Sequence, residues 1–161
     1  MPDERQNGAR VLEAYGDAIL RLAYSYLHSR TDAEDVLQDT LVQYLTKRPA
    51  FEGPAHEKAW LMRVAINLCK NQLSAPWKRR WEELDEDQPC FDQEESAVLE
   101  AVNGLPVKYR EVIHLYYVEG YSTAEIASLL GRGEGTVRVQ LSRGRERLRR
   151  VLKEAYDFGE E

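Results

Sequence analysis

An all-α protein, built as two small helical domains joined by an acidic flexible linker, is the fold class that this sequence predicts. Three observations lead there. Apolar residues recur with a 3.6-residue period through most of the chain, and no stretch alternates as a strand would. Capping patterns, Thr-x-x-Glu at Thr31 and Ser-x-x-Glu at Ser122, stand where two periodic runs begin. Charge is segregated: residues 64–81 carry Lys70, Lys78, Arg79 and Arg80 without an acid, while residues 82–100 carry Glu82, Glu83, Asp85, Glu86, Asp87, Asp92, Glu94, Glu95 and Glu100 without a base. Pro89 and the scarcity of apolar residues make that acidic stretch a solvated tether. The expected bounds are 1–81 for the first domain, 82–95 for the linker and 96–161 for the second domain.

Taken in order, Val11, Tyr15, Ile19, Leu22 and Tyr26 form the apolar stripe of a first helix. Thr31 and Glu34 predict a capping box that opens a second helix running to about Lys47. Val36, Leu37, Thr40, Leu41 and Tyr44 gather on one side of it, Asp32, Asp35, Gln38 and Asp39 on the other. Pro49, Gly53 and Pro54 punctuate a loop. A third helix is expected from near Glu57 to about Ser74, with Leu61, Val64, Ala65 and Leu68 on its apolar side and Pro76 beyond its end. A short helix over 96–102 follows the tether, then a helix from Pro106 to Glu119 with Gly120 as its left-handed C-terminal residue.

The last two helices carry the first functional signal. Ser122 and Glu125 make a capping box for a short helix ending at Leu130, and Gly131, Arg132 and Gly133 supply a tight turn before a helix beginning at about Glu134. Val137, Leu141, Gly144 and Leu148 share the inward side of that helix, Gly144 allowing close approach to the preceding helix. Arg138, Val139, Ser142 and Arg143 point away. Two helices joined by a glycine turn, the second presenting cationic and small polar side chains, suit the DNA major groove. Arg138 and Arg143 are candidates for bidentate contact with guanine edges, whereas Arg145, Arg147, Arg149 and Arg150 lie further along and suit phosphates. The formal net charge of −6 therefore averages unlike regions and says little about partners.

Other classes are set aside. Cys69 and Cys90 are too few for a disulfide framework, and the isolated His28, His56 and His114 show no zinc spacing, so neither metal nor cofactor is expected. No nucleophile–base arrangement or phosphate-cradling glycine loop appears, which argues against an enzyme and a small-molecule substrate. No apolar run approaches the length of a membrane span and the first residues are polar, so a cytoplasmic protein without direct membrane insertion is expected.

At this point the residues resemble a known family. The stretch LPVKYREVIHLYYVEGYSTAEIASLLGRGEGTVRVQLSRGRERLR resembles region 4 of the extracytoplasmic-function (ECF) sigma factors of the sigma-70 family. DAEDVLQDTLVQYL, then F-E-G and KAWLMRVAINLCKNQL, resemble region 2 of the same family. The resemblance implies an alternative sigma factor that binds core RNA polymerase through the β′ coiled coil and the β flap. It reads promoter DNA at the minus-35 element with region 4 and at the minus-10 element with region 2, and helps melt the latter. It implies core-polymerase contacts at Asp35, Gln38 and Asp39, where a like-charge pair at i, i+4 would be relieved by a basic partner. It implies minus-35 contacts from Thr136, Arg138, Val139, Ser142, Arg143, Arg145 and Arg147. For the melted minus-10 strand it implies Phe51, His56, Arg63, Asn67, Lys70, Asn71, Arg79 and Arg80, amides beside cations being suited to splayed bases. Trp60 is read as a core residue rather than a stacking platform. Val139 and Gln140 stand where the family commonly has serine and arginine, so no minus-35 sequence is carried over. The inverted charges lead to the further expectation of a compact free chain, its basic surface covered by the tether or by an anti-sigma factor. The competing expectation is a stand-alone helix-turn-helix regulator with a helical N-terminal sensor or dimerisation domain, which would bind duplex DNA without polymerase.

Overall fold

The computed structural model describes residues 4–75 and 100–156, and all regular structure among them is helical. The chain divides into two compact units, Met1–Gln88 and Pro89–Glu161. The expected linker over 82–95, Arg79, Arg80 and the start of the short helix at Ser96 lie outside the described residues. Of that short helix, residues 100–103 are described and helical.

The first unit contains α1 (Glu4–Leu27), α2 (Arg30–Lys47) and α3 (Pro54–Ser74), each packed on the other two. The α1 stripe is inward as expected: Val11, Ile19, Leu22 and Tyr26 are buried, and Tyr15 is half-buried. His28, in the left-handed region at φ 54°, ends α1 by donating its N–H to the Tyr24 carbonyl. The start of α2 corrects the sequence reading. Ser29, not Thr31, is the N-cap, its side chain accepting from the Asp32 N–H at 3.2 Å, and Glu34 instead pairs with Arg30 at 3.2 Å. A serine directly after the chain reversal at His28 meets the first free N–H groups before Thr31 can, so the cap forms two residues earlier.

The third helix also begins earlier than expected, at Pro54 rather than near Glu57, with Pro54 in the first turn after Gly53. Proline at that position costs no hydrogen bond and presets the helical φ. Its buried apolar residues are Leu61, Met62, Ala65, Ile66 and Cys69, whereas Val64 and Leu68 are half-buried. At 100° per residue the buried face is rotated by roughly 80° from the expected stripe. The cause is that α3 packs on both α1 and α2, which demands a wide face. The rotation turns Arg63, Asn67 and Asn71 to solvent.

The second unit contains α4 (Val107–Ile113), a π-helical turn (His114–Val118), α5 (Thr123–Leu130) and α6 (Glu134–Tyr156). The expected helix to Glu119 is thus α-helical only to Ile113. The widened turn is closed by the Glu119 N–H on the His114 carbonyl at 3.1 Å, and by the His114 ring nitrogen against the Glu119 carboxylate at 2.7 Å. It buries His114 and Leu115 and leaves Tyr116, Tyr117 and Val118 outward. Gly120 is left-handed as expected, at φ 76°. Leu105, Tyr109, Val112, Ile113, Leu115, Ile126, Leu129, Val137 and Leu141 form the core.

Gly144 is buried in α6, as read, but the helix it approaches is α4 and not the preceding α5. A Cβ there would lie 3.1 Å from Ile113 Cγ1 and 3.3 Å from Tyr109 Cβ. Gly144→Val is therefore expected to destabilise the second unit by about 1–3 kcal/mol, the ordinary cost of overpacking. Thermal melting of helicity checks this against Arg149→Ala on the exposed side, expected within about 0.5 kcal/mol of the parent. Equal melting of all three chains would refute the close approach.

Candidate nucleic-acid and polymerase interfaces

In the second unit the expected helix-turn-helix is complete. Glu125 donates its N–H to Ser122 Oγ at 3.1 Å, and the Ser122 N–H returns to Glu125 Oε1 at 3.0 Å, closing the capping box. The second bond favours the carboxylate, and the Glu125 carboxyl is held below its ordinary range, chiefly by the Ser122 N–H and then by the Ser122 side chain. Gly131 ends α5 at φ 67°, a left-handed conformation that costs any side chain but glycine's. Val137, Leu141 and Gly144 face inward and Leu148 is half-buried, so α6 turns the opposite surface to solvent. Thr136, Arg138, Val139, Ser142, Arg143, Arg145 and Arg147 are all exposed.

These seven do not act as one row. With Val137 at 0°, Val139, Ser142 and Arg143 lie within about 60° of the outward direction, Thr136 and Arg147 fall toward one flank, and Arg138 and Arg145 toward the other. Thr136, Val139 and Arg143 line a groove of about 490 Å³ with Lys108 and Tyr109. Lys108 and Tyr109 had no signal in the sequence, because only the α4–α6 packing brings them to α6. Arg147 stands 5.0 Å from the centre of the Tyr109 ring and Lys108 stands 5.1 Å from it. Burial raises the Tyr109 phenol, but Lys108, Arg143 and Arg147 together outweigh it and hold the group below its ordinary value. Arg145 rests 6.0 Å from the Tyr117 ring. Arg138 is tied to Glu134 at 2.7 Å, and Glu134 also accepts from Thr123 at 2.9 Å. Arg143, whose side chain meets the Tyr109 hydroxyl, lies nearer the outward direction of α6 than Arg138 does.

In the first unit two exposed surfaces lie on different helices. On α2, Asp35, Gln38 and Asp39 are exposed, and Val42, one turn on, is 59% exposed. Val36, Leu37 and Thr40 are buried behind them. On α3, Arg63, Asn67 and Asn71 are exposed at i, i+4, i+8, with Lys70 half-buried beside them.

The loop before α3 is held by aromatic packing. Phe51 stacks on Tyr44 at 6.2 Å and 10°, meets Trp60 edge-on at 6.0 Å, and meets His56 at 5.2 Å and 88°. Trp60 is half-buried and edge-on to Tyr44, a packing role in line with its reading as a core residue. His56 is exposed, and its Nδ1 accepts from the Glu52 N–H at 3.2 Å. Beneath this cluster lies a network that the sequence reading missed. Arg10 donates to both oxygens of buried Glu57, at 2.9 and 2.7 Å, and the Tyr44 hydroxyl donates to Glu57 Oε2 at 3.0 Å. It joins all three helices directly under the loop. Its signal was available only if Pro54 was recognised as the helix start, which places Glu57 in the favoured first turn for an acid.

The Arg10 hydrogen bonds hold the Glu57 carboxyl below its ordinary value of 4.5, while burial pushes the Tyr44 phenol up. A lowered carboxyl stabilises the fold above its unfolded pKa, and that contribution is lost as pH falls through the folded value. Arg10 is half exposed, and water screens the pair, so Glu57→Gln is expected to cost about 1 kcal/mol at pH 7. The gap in melting temperature between the two chains should close as pH drops below about 4.5, the ordinary value for the carboxyl. A gap that is constant or widens on acidification would contradict the network.

The two units match two adjacent parts of one sequence family. Residues 11–79 match Sigma-70 region 2, and residues 95–148 match Sigma-70, region 4. The ECF RNA polymerase sigma factor SigM of Mycobacterium tuberculosis (strain ATCC 25618 / H37Rv) is 32% identical over 149 residues, covering 84% of this chain and 76% of its own. The chain belongs to the ECF sigma factors of the sigma-70 family. SigW of Bacillus subtilis is 26% identical over 166 residues, covering 91% and 89% of the two chains. Among solved structures, the sigma factor RpoE from Bartonella quintana, in complex with the anti-sigma factor NepR, aligns with a TM-score of 0.72 at 28% identity, over 90% of this chain and 96% of that one. CnrH, in complex with the cytosolic domain of CnrY, aligns at 0.70 and 26%, over 94% and 90%.

As an ECF sigma factor the chain directs RNA polymerase at transcription initiation. The stand-alone regulator is not favoured, because its N-terminal half, read as a sensor, matches region 2 across residues 11–79. Among the described residues, no helix is long and apolar enough to cross a membrane, and no group of three or more metal-binding side chains gathers.

Proposed function

We propose that this sigma factor divides initiation among three surfaces of its own chain. Residues 1–81 form the polymerase- and minus-10-binding domain, residues 82–95 a linker, and residues 96–161 the minus-35-binding domain. Asp35, Gln38 and Asp39 dock on the β′ coiled coil. Tyr116, Tyr117 and Val118 offer an apolar patch to the β flap. Phe51, His56, Arg63, Asn67, Lys70 and Asn71 take the melted minus-10 strand, with Arg79 and Arg80 further along its path. Thr136, Val139, Ser142 and Arg143 read the minus-35 major groove while Arg138, Arg145 and Arg147 neutralise phosphates.

One observation carries the reading: Asp35, Gln38 and Asp39 on α2, Arg63, Asn67 and Asn71 on α3, and the seven α6 residues are turned to solvent by the same helices whose opposite faces make the core. Asp35 and Asp39, like charges at i, i+4, cost a few tenths of a kcal/mol where they stand, a cost that a basic partner would relieve. The α3 amides and cations suit a strand whose bases have left the stack, since backbone charge and base edges must be met together. An anti-sigma factor is a further partner, supported by the solved relative RpoE, which was captured with the anti-sigma factor NepR. The chain works in the cytoplasm as a binding factor, with no reaction chemistry of its own.

Permanganate oxidises unpaired thymine and so tests the melting step directly. Thymines at the minus-10 element should become reactive only when core polymerase and this chain are both present. Reactivity that is the same with and without the chain would overturn the assignment of α3 and its loop.

A further inference from the structure

The turn between α5 and α6 is built around a cation that the division above leaves unused. Arg132 follows Gly131, and its backbone N–H caps α5 on the Ala127 carbonyl at 3.0 Å. Its side chain crosses to the other two helices. Nη2 donates to Oε1 of Glu111 on α4, a side chain only 1% exposed, and Nη1 donates to Oε1 of Gln140 on α6 at 2.9 Å. A carboxylate that deep is tolerated because it is paired. The guanidinium is planar and its donors are fixed in a fork, so meeting both acceptors constrains where Gln140 sits relative to Glu111.

We propose that Arg132 is a positioning residue for minus-35 reading. By holding Glu111 and Gln140 on one guanidinium it sets the rotation of α6 about its own axis and withdraws Gln140 from the DNA-facing row, so that position 140 contributes no base preference. The inference rests on the reading of α6 as the minus-35 helix. Gln140 lies about 60° from inward-facing Val137, on the side of α4, whereas Val139 lies nearly opposite Val137. Gln140 is half-buried and its side-chain oxygen is occupied; Val139 is 47% exposed. Gln140 borders the groove that Thr136, Val139 and Arg143 line with Lys108, but its side-chain oxygen is turned to Arg132. A corollary follows from the shared fork. Position 140 stands beside Glu111, so a guanidinium carried there reaches the same carboxylate, and the charge can be moved between positions 132 and 140 without abandoning Glu111.

The test is run-off transcription by the full chain with core polymerase, on templates that vary each minus-35 base pair and on one with that element scrambled. A parent chain that does not discriminate among these templates sinks both the reading of α6 and this inference. With a discriminating parent, Gln140→Ala, which removes the hold of Arg132 on α6, should lower transcription on every minus-35 variant but leave the relative preference among base pairs within about twofold. Arg132→Ala should lower transcription roughly tenfold on every minus-35 variant while sparing the scrambled template. Combining Arg132→Ala with Gln140→Arg should recover the parent rate to within about threefold. If Arg132→Ala does not fold, recovery of both folded chain and transcription by the double variant gives the same support. A changed preference at one base pair in Gln140→Ala, or a double variant that recovers neither fold nor transcription, overturns this inference alone.

Discussion

Asp39→Arg should abolish holoenzyme formation while leaving the first unit folded. Asp39 is exposed on α2, four residues from exposed Asp35, and the residues behind them, Val36, Leu37 and Thr40, make the core. Reversing the charge replaces an attraction to a basic coiled coil with a repulsion. Like charges brought together across an interface cost several kcal/mol, so affinity for core polymerase should fall at least about 100-fold. The fold should not suffer, because Asp35 and the substituted arginine would then attract each other at i, i+4, worth about 0.3 kcal/mol to α2. Asp17→Arg, an equal charge change at an exposed position of α1, controls for net charge. Fluorescence anisotropy against purified core enzyme reads both. If Asp39→Arg binds as the parent does, α2 is not the docking surface.

Arg143→Ala should separate promoter reading from polymerase binding. Arg143 is exposed near the outward centre of α6 and lines the groove beside Lys108 and Tyr109. A bidentate contact with guanine is worth about 1–3 kcal/mol of base discrimination, so transcription from minus-35-dependent promoters should fall roughly 5- to 100-fold. The loss should concentrate at one base pair, with core affinity unchanged. Arg149→Ala makes the useful contrast. As a phosphate contact it should weaken all sequences alike and reduce the salt slope by about one. A uniform loss in Arg143→Ala, or an equal loss of core affinity, would remove Arg143 from the base-reading row.

Local signals made the second unit the more legible of the two. A capping box, a glycine that must be left-handed and a helical stripe each depend on residues within a few positions of one another, and Ser122, Gly120 and Val137 all stand where the pattern puts them. What the sequence hid depends on contacts between helices. Arg132 reads as a turn residue until α4 and α6 are brought against it, and Lys108 and Tyr109 join the groove for the same reason. The π turn at His114 is invisible to a 3.6-residue period because it changes that period by inserting a residue. In the first unit, Pro54 reads as loop punctuation although proline also opens helices, and that ambiguity conceals Glu57 and its network with Arg10 and Tyr44. On α2 the buried Val36, Leu37 and Thr40 follow from spacing alone.

Selective initiation is the most direct measure of the whole account. Purified core RNA polymerase, given a library of promoter sequences with and without this chain, should produce transcripts enriched for one pair of elements near positions −10 and −35 only when the chain is present. Transcripts of the same sequence distribution and yield in both reactions would contradict it.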